Sequence, residues 1–414
     1  MNPATGSGKS GSWPTPDPRV AFVLALGRAL HTSGQPTPRI EEALQLVAER
    51  LGIPAQFFIT PTSIFAAFGP EASQRTHLLR TVPSSANIGK LTRVDALMRR
   101  VLAGEMTPVE GLAGLDELER RPTVQHPILR VLGVALVSAC AARFLDGGPK
   151  ELAAAAISGL ALGGIGLFAA RNQGFERLYV PIGAFVAAVL VASSAWAFNG
   201  IAFALTMLAA LVVLVPGMML TTAMEELTTG HLASGTARLM GSVMVFMSIG
   251  FGVALGSQLV SLLAGVPPVL RAHPLPDWTE WVALLAASAS FALLLRAESR
   301  DIIWITIAAT LGFVASRWSG RVLGPELGMF AGAFVVGLGS NLFARFTNRP
   351  EAVTEVPGIL ILVPGSIGFR SITALLDNKV VSGVETAFKT LLIAVSLVAG
   401  LLMANLILPK PRRL

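Results

Sequence analysis

Charge is what this chain is short of. Only 14% of its 414 residues are Asp, Glu, Lys or Arg, and 53% are hydrophobic; a soluble globular chain carries about 25% charged residues. Mean hydropathy is +0.65. Residues 152–170, 178–224 and 239–270 carry no charged side chain. About 20 apolar residues span a bilayer, so a soluble fold is excluded for most of the chain. Cysteine is nearly absent as well. Cys140 stands alone, inside VLGVALVSACAA, so no intrachain disulfide can form and no Cys/His set has zinc spacing; it reads as a small buried apolar residue. The five histidines (His31, His77, His126, His231, His273) are scattered and there is no Gly-x-Ser-x-Gly, so serine-hydrolase chemistry lacks its elbow and its base. Gly8-Lys9-Ser10 ends like a phosphate-binding loop, but Pro3 stands where that loop needs glycine. No nucleotide, cofactor or metal is expected.

No cleavable signal peptide is visible. Residues 1–17 are rich in Pro, Gly and Ser and read as a disordered tail. The formal net charge of +7 is not a nucleic-acid footprint, because residues 1–128 hold 13 basic and 11 acidic side chains. The surplus sits at the ends of apolar runs, where positive charge sets orientation.

Residues 18–128 read as a soluble domain. Val20–Leu30 and Ile40–Leu51 have helical periodicity, with Gly34 and Gly52 just past their ends. Three short β-prone runs follow, separated by Pro and Gly turns. Two more helices close the domain. The second has Thr107, Pro108 and Glu110 placed as a capping box. The order is α-α-β-β-β-α-α.

From Leu129 onward ten apolar segments are expected, roughly 129–145, 150–170, 178–197, 199–220, 237–265, 279–296, 301–318, 323–345, 353–376 and 384–408. With the soluble domain inside, the inside loops hold ten Lys/Arg and the outside loops five. That supports both termini inside and an even number of spans in a multi-pass membrane protein.

Two stretches within these segments match. Leu214–Gly235 reads LVPGMMLTTAMEELTTGHLASG, and Leu362–Gly383 reads LVPGSIGFRSITALLDNKVVSG. The 148 residues between Pro216 and Pro364 also separate Gly235 from Gly383, Ser248 from Ser396 and Gly252 from Gly400. The same shift carries the first five segments onto the last five. Five is odd, so the second copy must insert upside down, as in secondary transporters with midplane sites on broken helices. The fold class expected is an α-helical polytopic membrane protein. Its ten spans form two inverted five-helix repeats, 129–270 and 277–414, preceded by a small α+β cytoplasmic domain.

Pro216-Gly217 and Pro364-Gly365 are the expected breaks, since proline removes a backbone donor and glycine permits the bend. Val356-Pro357-Gly358 adds a third Pro-Gly, so segment nine is expected to be interrupted twice. Thr221, Thr222 and Ser366 supply hydroxyls just past the breaks. Glu226, Arg238, Glu355, Arg370 and Asp377 are charges near them, and intramembrane charge points to function. An unwound helix end suits a substrate carboxylate. An acid suits an ammonium, and its protonation offers a way to couple export to a proton gradient. Gly159/Gly163, Gly252/Gly256 and Gly324/Gly328/Gly332 read as close helix packing.

The ordered motifs resemble the threonine/serine exporter family. In the soluble domain they are LGRALHTSG (Leu26–Gly34), RIEEALQLVAERLG (Arg39–Gly52), FFITPTSIFAAF (Phe57–Phe68) and RRVLAGEMTPVEGLAGLDEL (Arg99–Leu118). In the membrane they are Val215–Leu239 and VPGILILVPG (Val356–Gly365). The resemblance runs from Val20 to Leu408. It implies a ten-span carrier exporting L-threonine and L-serine, driven by the proton gradient, and it puts Pro216, Gly217, Glu226, Gly235, Arg238, Pro357, Gly358, Pro364 and Gly365 on motif positions. Phe369-Arg370 departs from the family pattern, which weakens any role for Arg370. Related two-chain systems export dicarboxylates, so a dicarboxylate exporter stays an alternative, as does a membrane sensor that does not transport. The partners expected are a small-molecule substrate, protons and lipid, with no nucleic acid; a homo-oligomer is left open.

Overall fold

The computed structural model describes residues 17–82, 86–120, 126–362 and 380–410. The first part follows the order read from the sequence. Helices α1 (Pro18–His31) and α2 (Thr37–Arg50) turn Phe22, Leu26, Ile40 and Leu44 inward. Strands β1 (Ala55–Thr60), β2 (Ser63–Phe68) and β3 (Arg75–Arg80) form an antiparallel meander in that order. Alternation along β1 and β2 buries Ile59, Ile64 and Ala66 on the face toward the helices. Helices α3 (Ile88–Leu102) and α4 (Pro108–Arg120) complete the core with Leu91, Val94, Val101 and Leu115. The capping box forms: Thr107 N donates to Glu110 Oε2 at 2.8 Å, and Glu110 N donates to Thr107 Oγ1 at 3.3 Å. Each fully buried Leu or Ile stabilises this core by about 1.5–3 kcal/mol.

The remainder is helical. The helices are α5 (Pro127–Phe144), α6 (Pro149–Ala169), the one-turn α7 (Gln173–Glu176), α8 (Tyr179–Ala197), α9 (Phe203–Leu211), α10 (Gly217–Thr228), α11 (Leu232–Ala264), α12 (Trp278–Leu294), α13 (Ile302–Leu323), α14 (Pro325–Thr347), α15 (Ala352–Leu362) and α16 (Val380–Ile407). Among the described residues seven helices are long and apolar enough to cross a membrane: α5, α6, α8, α11, α13, α14 and α16. They bury Ala, Gly and Ser against each other. Large side chains such as Leu132, Phe251, Leu255, Leu311 and Phe388 point outward, as a hydrocarbon surround requires.

Two sets of helices pack alike. In the first, α5 packs on α6, α6 on α8 and α8 on α11, with α9 against α5, α6 and α8. In the second, α12 packs on α13, α13 on α14 and α14 on α16, with α15 against α12, α13 and α14. A matched glycine sits at the last of these contacts in each set. A Cβ on Gly252 of α11 would come within 2.8 Å of Ala184 Cβ on α8, and one on Gly400 of α16 within 3.0 Å of Ala333 Cβ on α14. The first helices of the two sets, α5 and α12, run antiparallel. Gly133 near the start of α5 lies against Leu293 and Leu294 at the end of α12. At the other end Arg143 Nε donates to Thr279 Oγ1 at 2.6 Å.

The 199–220 segment is two helices, α9 and α10, parted at 212–216. Pro216 cannot donate to the preceding turn, so it starts a new helix instead. The expected break at Pro357-Gly358 does not occur, and this corrects the sequence reading. Helix α15 runs through Pro357. Its companion glycine serves packing: a Cβ on Gly358 would meet Val336 Cγ1 of α14 at 2.7 Å. Pro364, Gly365, Ser366, Arg370 and Asp377 lie outside the described residues.

Candidate functional site

Helix α10 starts at the Pro216 break and places Met218, Thr221, Thr222 and Glu225 along one face, at the spacing that makes helix neighbours. Thr221 Oγ1 donates back to Gly217 O at 3.1 Å, which satisfies a hydroxyl that is buried. Gly230, at φ +85°, turns the chain into α11. Gly235 then lets α11 return close to α10, because a Cβ there would lie 2.7 Å from Leu227 Cγ.

The α10 face borders a cavity of about 50 Å³. Its far wall is Glu351, Glu355, Val356 and Ile359 at α15, with Lys410 beyond α16. The remaining wall comes from the N-terminal α+β part, as Gly34, Gln35, Pro36 and Arg39. Drug-sized pockets measure about 300–1,000 Å³, so the cavity in this form has room for a few waters and is closed to larger guests.

Its rim is ionic. Lys410 Nζ lies 3.1 Å from Glu351 Oε1 and 2.9 Å from Glu355 Oε2, and Arg39 Nε lies 3.9 Å from Glu351. Burial acts to raise the Glu351 carboxyl, but Lys410 and Arg39 outweigh it and hold the group well below the usual carboxylate range. Burial likewise acts to lower Lys410, and Glu351 and Glu355 outweigh it, so the ammonium sits above the usual lysine value.

Glu226, next along α10, points away from this cavity and is fully buried. Its Oε1 accepts from Thr37 N at 2.9 Å and from Arg238 Nε at 3.1 Å. Its Oε2 accepts from Ser234 Oγ at 2.7 Å and again from Arg238 Nε at 3.1 Å. Thr37 Oγ1 and Ser234 Oγ are 2.8 Å apart. Nearby, His231 Nε2 meets Glu41 Oε2 at 3.1 Å. Two predicted site residues, Glu226 and Arg238, are thus brought together and joined to the first residue of α2.

Of the other predicted site residues, Thr221, Thr222 and Glu355 line the cavity, and Pro216 and Gly217 open the helix that carries two of them. The sequence reading missed Glu225, Glu351, Lys410 and Arg39 on the cavity, and Thr37 and Ser234 beside Glu226. One signal was available: counting three, four and seven residues from Met218 reaches Thr221, Thr222 and Glu225, and passes over Glu226. Arg39 and Thr37 had none, because nothing local says that α2 reaches the membrane helices.

Comparison with known proteins follows this geometry. The family model described as "Putative threonine/serine exporter" matches residues 21–260, and the one described as "Threonine/Serine exporter, ThrE" matches residues 280–407. Curated relatives are fungal proteins named pheromone-regulated membrane protein 10. That of Saccharomyces cerevisiae is 26% identical over 381 residues, covering 89% of this chain and 48% of the relative. That of Candida glabrata is 23% identical over 381 residues, covering 89% and 47%. That of Debaryomyces hansenii is 26% identical over 388 residues, covering 90% and 37%. The chain therefore spans about half or less of the length of these relatives. No solved structure matches it. With one family model on each set of packed helices, the chain belongs to the threonine/serine exporter family, with both halves fused in a single membrane protein.

Proposed function

We propose that this protein is a secondary active exporter of small amino acids, L-threonine and L-serine, across the cytoplasmic membrane. In this reading it has ten spans arranged as two inverted five-helix repeats, with the soluble domain and both termini in the cytoplasm. The antiparallel run of α5 and α12 and the matched contacts of Gly252 and Gly400 support the inversion. The substrate site lies at the break before α10. Pro216, Gly217, Thr221, Thr222, Glu226 and Arg238 form its first half, and Glu355 faces them from the second. Pro364, Gly365, Ser366, Arg370 and Asp377 are its counterpart in the second.

One observation carries the choice of substrate. The cavity sets three carboxylates, Glu225, Glu351 and Glu355, against two cations, Arg39 and Lys410, beside the hydroxyls of Thr221 and Thr222. Such a set matches an ammonium with one carboxylate and a side-chain hydroxyl. A dicarboxylate brings two negative charges to a lining that already has an excess of one.

Counterflow of labelled threonine, serine and succinate in proteoliposomes tests this. Exchange of threonine and serine without succinate is the expected result. Succinate exchange alone replaces the reading with dicarboxylate export, and no exchange of any of the three leaves the sensor reading. The proton gradient is proposed as the driving force, with Glu226 as the coupling group. Glu226→Gln is expected to abolish the response to an imposed pH gradient; transport still driven by it removes Glu226 from that role.

A further inference from the structure

Resting on the carrier reading, we propose that the soluble domain is part of the substrate site: α2 closes the cavity with Arg39 and seats its first N–H on Glu226, so that substrate enters from the soluble-domain side only when α2 withdraws.

Three observations lead there. The first is the seat itself. Three donors converge on the Glu226 carboxylate: the Thr37 N–H on Oε1, the Ser234 hydroxyl on Oε2, and the Arg238 Nε–H shared between both oxygens. Thr37 is the one donor that comes from the soluble domain. Its N–H has no partner within α2, and Pro38 has no N–H at all, while Arg39 N and Ile40 N both donate to Pro36 O. The start of α2 therefore offers one free donor, and Glu226 takes it. While α2 stays, both oxygens of Glu226 are engaged and its carboxylate is fully buried.

The second is the wall. Gly34, Gln35, Pro36 and Arg39 form the soluble-domain side of the cavity. Arg39 is not tightly committed there, at 3.9 Å from Glu351, with Glu42 of its own helix at 3.0 Å. A guanidinium so placed can turn to an incoming carboxylate, and its planar fork suits that group.

The third is the way the domain holds both sets of helices. On the first it uses Glu226, Ser234 and His231. On the second, Ile88 N donates to Leu295 O at 2.9 Å, and Arg99 donates to Asn348 O. Rocking of one set against the other, the movement expected of paired repeats, must break one of these grips. The grip on the first set is made of a few polar contacts, so it is the one that can open and reclose.

A reversible lock tests the proposal. In a Cys140→Ser chain, Thr37→Cys and Ser234→Cys place two thiols where hydroxyls now stand 2.8 Å apart, close enough for a disulfide. The oxidised protein is expected to lose threonine counterflow at least tenfold and to regain it on reduction. Full counterflow in the oxidised form overturns the proposal. A second measurement does not depend on transport. Thr222→Cys, alone in the Cys140→Ser chain, reports access to the cavity by its rate of maleimide labelling. Adding Thr37→Pro deletes the seated N–H at a first-turn position where proline is tolerated. At least tenfold faster labelling is expected; an unchanged rate overturns the closure. If even the unmodified protein exchanges none of the three substrates, the carrier reading has failed, and the labelling rate alone decides whether α2 closes the cavity.

Discussion

At the scale of single residues, two adjacent acids do different work. Glu225 and Glu226 sit about 100° apart around α10, so one faces the cavity and the other faces α11 and the soluble domain. The sequence displays both acids but not the direction of helix phase, which is set by the Pro216 break and the close return at Gly235. Glu226→Ala leaves Arg238, whose side chain is 18% exposed, facing an empty acceptor, along with the Thr37 N–H. Removing one partner of a buried ion pair costs about 3–5 kcal/mol, so the detergent-solubilised variant is expected to melt several degrees lower. His31 gives a second prediction. Its Nε2 lies 3.1 Å from Thr60 O and 3.2 Å from Thr81 Oγ1, while Nδ1 is buried without a partner among the described residues. Burial holds its pKa below the usual 6.5. A depressed value means that the neutral ring stabilises the fold above pH 6.5, and that this is lost as pH falls through the folded-state value. The melting temperature is expected to drop on acidification below pH 6.5, and His31→Gln is expected to flatten that slope. An identical slope in the variant assigns it to other groups.

At the scale of elements, most helices were legible because their composition leaves no other solution in a bilayer. The α+β order of residues 18–120 was legible because its turns and caps carry local chemistry, as at Thr107 and Glu110. The Pro-Gly pairs were only half legible. Pro216 parts two helices, whereas Pro357 sits inside α15. Both look alike in sequence; the difference is that Gly358 packs on Val336 and holds α15 against α14. Their substitutions should therefore diverge. Pro357→Ala restores a backbone donor to an existing helix and is expected to leave transport within about twofold and melting unchanged or higher, since proline is about 3 kcal/mol worse than alanine in a helix interior. Pro216→Ala permits α9 and α10 to join, and is expected to lower transport at least tenfold with little loss of folded protein. Equal effects at the two sites remove the break from the mechanism. The matched glycines make the same argument for packing. Gly252→Val and Gly400→Val each force α11 from α8 or α16 from α14, and each is expected to cost about 1–3 kcal/mol, as overpacking does.

At the scale of the whole molecule, the like packing of the two helix sets was legible in part, because glycines such as Gly252 and Gly400 keep their spacing where general apolar composition does not. The docking of the soluble domain was invisible: Thr37 and Glu226 are 189 residues apart, and no periodicity links them. The ionic rim that joins Arg39, Glu351 and Lys410 is insensitive to ordinary pH. Glu351, depressed by its partners, contributes above its unfolded value of about 4.5 and loses that only as pH falls through the lower folded value; Lys410, raised, contributes below about 10.5 and loses that only above. The orientation of the bundle decides from which side protons and substrate reach the cavity. The last turn of α5 and the first turn of α12 meet at one end, through Arg143 and Thr279, and the N-terminal α+β part lies at the other, through Ile88 and Leu295. If both termini are cytoplasmic, a thiol at the first end faces outward. In a Cys140→Ser chain, His273→Cys is expected to react with a membrane-impermeant maleimide in intact cells, and Ser73→Cys, on the exposed surface of the soluble domain, only after lysis. The opposite pattern would invert the protein, and α2 would then close the cavity against the outside rather than the cytoplasm.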